Sequence, residues 1–445
     1  MDRILFWLYT IIVHAGNIYI FLGCIFSEKL RLLNSGRQTT WKTLEKLSLG
    51  REKKVDPVNQ KKDKDDRRFA NVEQTKDGLN IRDVKYGKRV WIHCASLGEF
   101  EQGRPVIEKI KLNHPECFIA LSFFSPSGYE IQKNYDKADV IFYLPADTPD
   151  NCIRLLKLIR PDVMIFVKYE FWWNLIRVLV RNKVKIFLIS GIFRKNDYFL
   201  KTIFRPFLTL LRGYKMIFLQ DKTSHDIMAE HNVSNTMISG DTRIDRAIQR
   251  SKGSDVPTAI KEYVGEKKVI IYGSVWKSDM ALVLNCIDRF SEFVHIIAPH
   301  DIATANVNKL MNLIQAEVCL YSDDKWLGKI LIINNIGMLG SLYSLSKYAY
   351  VGGGFQQGIH NILEPAVFNV PVFFGPHHKK FNEAILLQAE NIAYSVSDST
   401  KMIETIIKFE KSEVEYSLLS KRANAFFERS KGATEKTVSY ISTYL

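Results

Sequence analysis

The chain is poor in cysteine, and the six it has are scattered: Cys24, Cys94, Cys117, Cys152, Cys286 and Cys319. They form no CxxC pair and have no histidine at metal-ligand spacing, which argues against a disulfide framework or a zinc site and fits a reduced, cytosolic environment. No sequence repeat links one half of the chain to the other. Acid is also in deficit. Lys and Arg number 62 against 48 Asp and Glu, a formal net charge of +14. Such a surplus attracts nucleic acid, acidic lipid head groups or phosphorylated substrates without choosing among them. Disorder is excluded by a composition that is 46% hydrophobic and 25% charged. At 445 residues the chain is too long for one ordinary core, so two domains with appendages are expected.

Residues 4–26, ILFWLYTIIVHAGNIYIFLGCIF, carry no charge, and His14 and Asn17 are the clear polar interruptions. At about 1.5 Å per residue, this run is long enough to cross a hydrocarbon core of about 30 Å. No small-x-small cleavage site stands out before Glu28, so residues 1–27 read as a retained membrane-anchor helix rather than a signal peptide. Lys29, Arg31, Arg37 and Lys42 follow it, which marks the cytoplasmic side and suits anionic lipid. Spanning the membrane and lying in one leaflet both remain open. Residues 28–87 read as a charged connecting segment. Its densest part, REKKVDPVNQKKDKDDRR at 51–68, lacks the interleaved aromatics that base stacking uses, so it reads as a solvated linker and no nucleic acid is expected.

From residue 88 onward, apolar runs alternate with helical stretches. RVWIHCAS, CFIALSFF, DVIFYLP, DVMIFVK and KIFLIS are the strands of a first half, residues 88–250. KKVIIYGS, VHIIAPH, KILIINN, YAYVGGG and VPVFFGP are those of a second, residues 251–420, with helices at 279–290 and 302–314. Strands separated by helices argue for α/β domains, each a parallel sheet covered on both faces. The polar run SKGSDVP at 251–257 reads as the hinge, and residues 421–445 as a helix that packs back on the first half. Two doubly wound, Rossmann-like halves leave an interdomain cleft, where ligands bind beyond the carboxyl ends of the strands.

The most specific motif is VGGGFQQGIHNILEP at 351–365. Its glycines, Gly353 among them, permit close backbone approach and positive φ. Asn361, Ile362, Leu363 and Glu364 then open an apolar helix whose amino terminus suits phosphate, and Glu364 is placed to accept from ribose hydroxyls. The competing reading is a tight turn with Asn361 as cap and Glu364 in a capping box. The spacing favours an activated sugar's nucleotide half as ligand. In ASLGE, at 95–99, Glu99 is either a helix-start charge or a general base on a sugar hydroxyl. In KYEFWWN, at 168–174, Glu170 is a carboxylate in so apolar a setting that it needs a partner. Arg243 in SGDTRIDR has the fork suited to phosphate, or else pairs at the surface with Asp241 or Asp245. Pro299, His300 and Asp301 end one strand; Asn335, Ile336, Gly337, Met338 and Leu339 end another.

Together these segments resemble the Kdo transferases, which attach 3-deoxy-D-manno-octulosonate to the lipid A precursor. The resemblance rests on the uncharged amino-terminal run, ASLGE at 95–99, EFWWN at 170–174, GDTRID at 240–245 and GGGFQQGIHNILEP at 352–365. It implies a GT-B fold and a metal-independent, inverting glycosyltransferase, working in lipopolysaccharide biosynthesis at the cytoplasmic face of the bacterial inner membrane, without a cofactor. It implies CMP-Kdo as donor in the second domain and lipid A precursor in the first. It also implies Glu99 as base, Glu170 and Arg243 as supports of the transition state, and Pro299, His300, Gly337, Met338, Leu339, Gly353, Asn361, Ile362, Leu363 and Glu364 as the residues around CMP. The sequence departs from the family at Lys168, where an acid is usual, and at Trp172-Trp173, His300 and Ser341. The rivals are another GT-B nucleotide-sugar enzyme, such as a lipid A disaccharide synthase or an epimerase, and an inactive membrane scaffold.

Overall fold

The computed structural model describes residues 2–52, 87–197, 200–201, 205–253, 255–323, 325–356 and 358–445. The charged stretch at 51–68 lies, past Glu52, outside the described residues. Among those described, fourteen strands form two sheets. The first contains β1 (Arg89–Cys94), β2 (Phe118–Phe123), β3 (Val140–Tyr143), β4 (Val163–Val167), β5 (Lys185–Gly191), β6 (Met216–Leu219) and β7 (Thr236–Ile238), in the order β3-β2-β1-β4-β5-β6-β7. The second contains β8 (Val269–Val275), β9 (Val294–Pro299), β10 (Val318–Leu320), β11 (Ile330–Ile332), β12 (Tyr348–Val351), β13 (Val372–Phe374) and β14 (Ala393–Ser395), in the order β10-β11-β9-β8-β12-β13-β14. All neighbouring pairs are parallel. Central strands such as VMIFV and VHIIAP are buried along their whole length because helices cover both faces of each sheet. Side chains still alternate. Val90, Ile92 and Cys94 enter one core layer, while Trp91 enters the opposite one.

The chain divides into two compact units, residues 1–242 with 432–445, and residues 243–431. The sequence pattern places this boundary at 250/251, inside the helix Thr242–Lys252. That helix buries Ile244 and Ala247 with Val351, Ile359 and Leu363 of the second unit, so residues up to Lys252 already belong to that unit. The expected return at 421 also falls later. Ala423, Phe426 and Phe427 of the helix Glu413–Ser430 stay in the second unit's core, and only the helix Ala433–Ser442 joins the first. There Val438 and Ile441 pack in the core, Lys109 pairs with Glu435 at 2.9 Å, and the His114 ring lies 2.8 Å from the Ser442 hydroxyl.

Two amino-terminal helices, Asp2–Gly23 and Glu28–Glu52, complete the first unit. The second of these is no loose connection over its described length. Leu33 and Leu44 are buried, and Thr40 donates to the carbonyl of Tyr143 at 2.9 Å. Phe6–Gly23 is long and apolar enough to cross a membrane. One of its faces touches the domain. Tyr9 donates to the buried Asp147 carboxylate at 2.6 Å, and its ring sits 5.9 Å from that of Trp173. Asp147 also accepts the backbone N–H groups of Asn174 and Leu175, at the start of the helix Trp173–Arg181. A carboxylate is favoured at that end of a helix, although burial pushes the Asp147 carboxyl up. The other face of the apolar helix, with Trp7, Ile11, Ile12, Ile18 and Phe21, is more than half exposed.

Candidate active site

In the first unit, β1 and β4 are neighbours and their carboxyl ends carry the two glutamates. Ser96 caps the helix Leu97–Asn113. Its hydroxyl oxygen accepts the N–H of Gly98 at 3.2 Å while its proton goes to the Glu99 carboxylate. The other oxygen of Glu99 lies 4.0 Å from the Lys168 ammonium. Lys168 follows β4 directly and holds φ at +66°, the left-handed region, at a cost of about 1–2 kcal/mol for a residue with a Cβ. The departure from the family's usual acid at 168 therefore puts a cation beside the expected base.

Glu170 has the partners its apolar setting demands. The indole N–H of Trp172 donates to it at 2.6 Å, and Nε2 of the fully buried His93 lies 3.3 Å from the same oxygen. The other nitrogen of that imidazole meets the Ser122 hydroxyl at 2.9 Å. Trp91 Nε1 can only donate, and it donates to the Ser122 hydroxyl oxygen at 2.8 Å. With the Ser122 proton given to His93 Nδ1, the ring's own proton would lie on Nε2, the nitrogen that faces Glu170. That nitrogen makes no well-aligned hydrogen bond. Cys94 lies beneath. Burial, with the charges of Glu99 and then Glu170, holds its thiol well above the usual value, so it is no nucleophile.

In the second unit, the carboxyl ends of β8, β9 and β12 converge on an aromatic stack. Trp276 lies 4.0 Å from His300 between ring centres at 19°, and His300 lies 4.7 Å from His360 at 28°. Trp276 Nε1 donates to His360 Nε2 at 3.1 Å. Burial, then the neighbouring His300, brings the His360 imidazole down to about 4, and burial lowers His300 as well. The glycine turn beside the stack is anchored by Asp279, a fully buried carboxylate. It accepts from the Trp276 N–H at 2.8 Å, the Tyr350 hydroxyl at 2.7 Å and the Gly353 N–H at 3.1 Å. Gly353 has φ +91°, and a Cβ on Gly354 would stand 2.6 Å from the backbone nitrogen of Gly375. Both positions require glycine.

The expected donor residues fall at this sheet edge with some corrections. His300 and Gly353 are at the stack, and Pro299 closes β9. Leu339 packs at the end of β8, where a Cβ on Gly273 would meet it at 3.0 Å, and Gly337 and Met338 lead into it, Gly337 with φ +99°. The helix after Asn361 is a single turn, Leu363–Ala366, with Ile362 at its cap. No capping box forms, because the Asn361 side chain accepts from the Leu363 N–H at 3.2 Å while Glu364 turns to Arg250 at 2.7 Å. Arg243, also in this unit, forks onto Glu383 at 2.7 and 3.0 Å, a partner the local sequence did not suggest. Sequence reasoning also missed Trp276, Asp279, His360, His93 and Arg250 as parts of the two sites. A tryptophan directly after an apolar strand was the available signal for the first.

Residues 61–246 match the family model described as 3-deoxy-D-manno-octulosonic-acid transferase (kdotransferase). The chain is 26% identical over 392 residues to a bifunctional glycosyltransferase/methyltransferase of Fusobacterium nucleatum, covering 82% of this chain but 58% of that protein. It is 25% identical over 322 residues to the 3-deoxy-D-manno-octulosonic acid transferase of Aquifex aeolicus, covering 71% and 84% of the two chains. With that of Chlamydia muridarum it shares 26% over 401 residues, 85% and 91% of the two. Among solved structures, a UDP-GlcNAc 2-epimerase from Neisseria meningitidis has the same fold, with TM-score 0.58 and 14% identity over 80% of this chain and all of the other. Two parallel Rossmann-like sheets give the chain a GT-B fold, and its Kdo transferase relatives indicate a glycosyltransferase. Within that fold its similarity is to Kdo transferases, through the family model matched at 61–246 and relatives 25–26% identical.

Proposed function

We propose that the protein transfers Kdo from CMP-Kdo to a hydroxyl of the lipid A precursor, lipid IVA, in lipopolysaccharide core biosynthesis. The observation that carries this reading is the setting of Glu99. Its carboxylate stands at the end of β1, oriented by the Ser96 hydroxyl, with Lys168 and the held Glu170 on the neighbouring strand. A positioned carboxylate at a strand end is suited to take a proton from an alcohol.

In the proposed step Glu99 removes the acceptor proton. The acceptor oxygen bonds to the anomeric carbon from the face opposite CMP, and CMP leaves with the electron pair of the broken bond. The configuration inverts, and no metal takes part. Glu170, held by Trp172 and faced by His93, supports the positive character that develops on the sugar. Arg243 answers the negative charge on the leaving phosphate, and Glu383 holds its guanidinium in place for this. On the donor side the glycine turn, Pro299, His300, Gly337, Met338, Leu339 and Asn361 to Glu364 line the nucleotide, with Glu364 taking ribose hydroxyls when it leaves Arg250. The exposed face of the helix Asp2–Gly23 holds the enzyme at the cytoplasmic face of the inner membrane, where the lipid acceptor resides.

The test is transfer from CMP-Kdo to lipid IVA by the wild type and Glu99→Gln. The variant is expected to lose roughly 10²–10⁴-fold in turnover while binding CMP as before. Near-normal turnover removes Glu99 as base, and preference for UDP over CMP in the wild type removes the donor assignment.

A further inference from the structure

Arg37 has a role that the two strand-end sites leave unexplained. It lies on the helix Glu28–Glu52, partly buried, where Nε donates to the carbonyl of Leu144 at 3.2 Å and Nη1 to the side-chain oxygen of Asn17 at 3.2 Å. Its central carbon stands 5.2 Å from the centre of the Phe124 ring. These partners are neutral, and among the described residues no Asp or Glu pairs with it. Burial brings the guanidinium down to about 10, and no carboxylate opposes that shift. A desolvated cation without a counter-charge is unfavourable unless an anion arrives.

Its position says which anion. Leu144 and Phe124 follow β3 and β2, so Arg37 is at the carboxyl edge of the first sheet. The Phe124 ring packs against Trp172 at 5.2 Å, and Trp172 holds Glu170. The Phe124 N–H bonds the carbonyl of Ala95, at the start of the loop that carries Glu99. On its other side Asn17 belongs to the apolar helix, and this accounts for one of the two polar interruptions in that run. The guanidinium thus sits where the membrane-facing helix meets the edge bearing the two glutamates.

We propose that Arg37 binds a phosphate group of the acceptor lipid and so sets the position of its sugar relative to Glu99. This rests on the reading of the acceptor as a membrane-borne phosphorylated glycolipid. The planar fork of arginine matches two phosphate oxygens at once, which a lysine point charge does not.

The experiment compares the full-length wild type, Arg37→Gln and Arg37→Lys on lipid IVA and on lipid IVA freed of its phosphates. Arg37→Gln is expected to raise the KM for lipid IVA by roughly ten- to a hundredfold, to leave the KM for CMP-Kdo unchanged, and to behave like wild type on the dephosphorylated acceptor. Arg37→Lys keeps the stem and charge and is expected to fall between the two, so it carries the test if Arg37→Gln folds poorly. Equal loss on both acceptors means that Arg37 only clamps helices together, and overturns the proposal. So does an Arg37→Gln protein that keeps its acceptor preference but binds phosphatidylglycerol vesicles less tightly than wild type, since the site would then serve bulk lipid. If the wild type transfers to neither acceptor, the proposed function fails. Binding of lipid IVA to wild type and Arg37→Gln by co-flotation then tests Arg37 separately, and equal binding overturns the inference.

Discussion

Removing the Asp279 carboxylate is expected to damage both stability and nucleotide binding. Asp279→Ala strips the acceptor from three donors at once: the Gly353 N–H and the Tyr350 hydroxyl, both buried, and the Trp276 N–H, which is partly exposed. Each buried donor left without a partner costs about 1–3 kcal/mol, while water recovers much of the third, so a loss of about 3–4 kcal/mol is expected. Asp279→Asn separates charge from geometry. Its oxygen keeps both N–H groups, and the Tyr350 hydroxyl turns to accept from the amide, so the loss is about 1 kcal/mol. Urea unfolding followed by tryptophan fluorescence measures stability, and calorimetry measures CMP affinity. The alanine variant is expected to bind CMP at least about tenfold more weakly, because the turn at Gly353 and the stack at Trp276 share this anchor. An alanine variant within about 0.5 kcal/mol of wild type refutes the account of the anchor. A destabilised variant with intact CMP affinity refutes the assignment of the turn to the donor site.

Two further outcomes are expected. Gly354→Ala drives a methyl into the Gly375 backbone, which cannot retreat like a side-chain tip, so it is expected to cost about 1–3 kcal/mol and to weaken CMP binding, both measurable as above. Acid should destabilise the second unit, because His295 and His360 are both held down to about 4 by burial, against an ordinary value of 6.5. The unfolded chain binds more protons between about pH 6.5 and pH 4, so stability falls as the pH drops through that window and levels below it; His360→Phe should remove part of the slope in urea titrations at each pH.

Ten strands were legible as continuous apolar runs, since a strand buried on both faces has no polar side to interrupt it. The four that were missed are short. β7, β10 and β14 are three residues each with partly exposed patterns, and β6 is four residues between Lys215 and Gln220. β7, β10 and β14 sit at or beside sheet edges, where burial is one-sided and the apolar signal is weak. The unit boundary is hard to read for a related reason: the helix Thr242–Lys252 is dense in charged and polar residues, and the few apolar ones that assign it to the second unit, Ile244 and Ala247, look unremarkable in the sequence.

What the sequence determined by itself was local: which runs are strands, where glycine is needed, and which strand ends carry Glu99, Glu170, His300 and Gly353. Tertiary structure alone decided their partners. Tyr9 meets Asp147 across 138 positions, Arg243 meets Glu383 across 140, Arg250 meets Glu364 across 114, and Trp276 meets His360 across 84. No spacing rule reaches that far, because periodicity reports only which face of one element a residue occupies. Which other face it meets depends on strand order, and parallel strands joined by crossovers bring distant loops to one edge. So the chain announced its carboxylates and its glycine turn, while the fold decided that Lys168 faces Glu99, that His93 faces Glu170, and that Arg37 meets Leu144 and Asn17 with no carboxylate partner among the described residues.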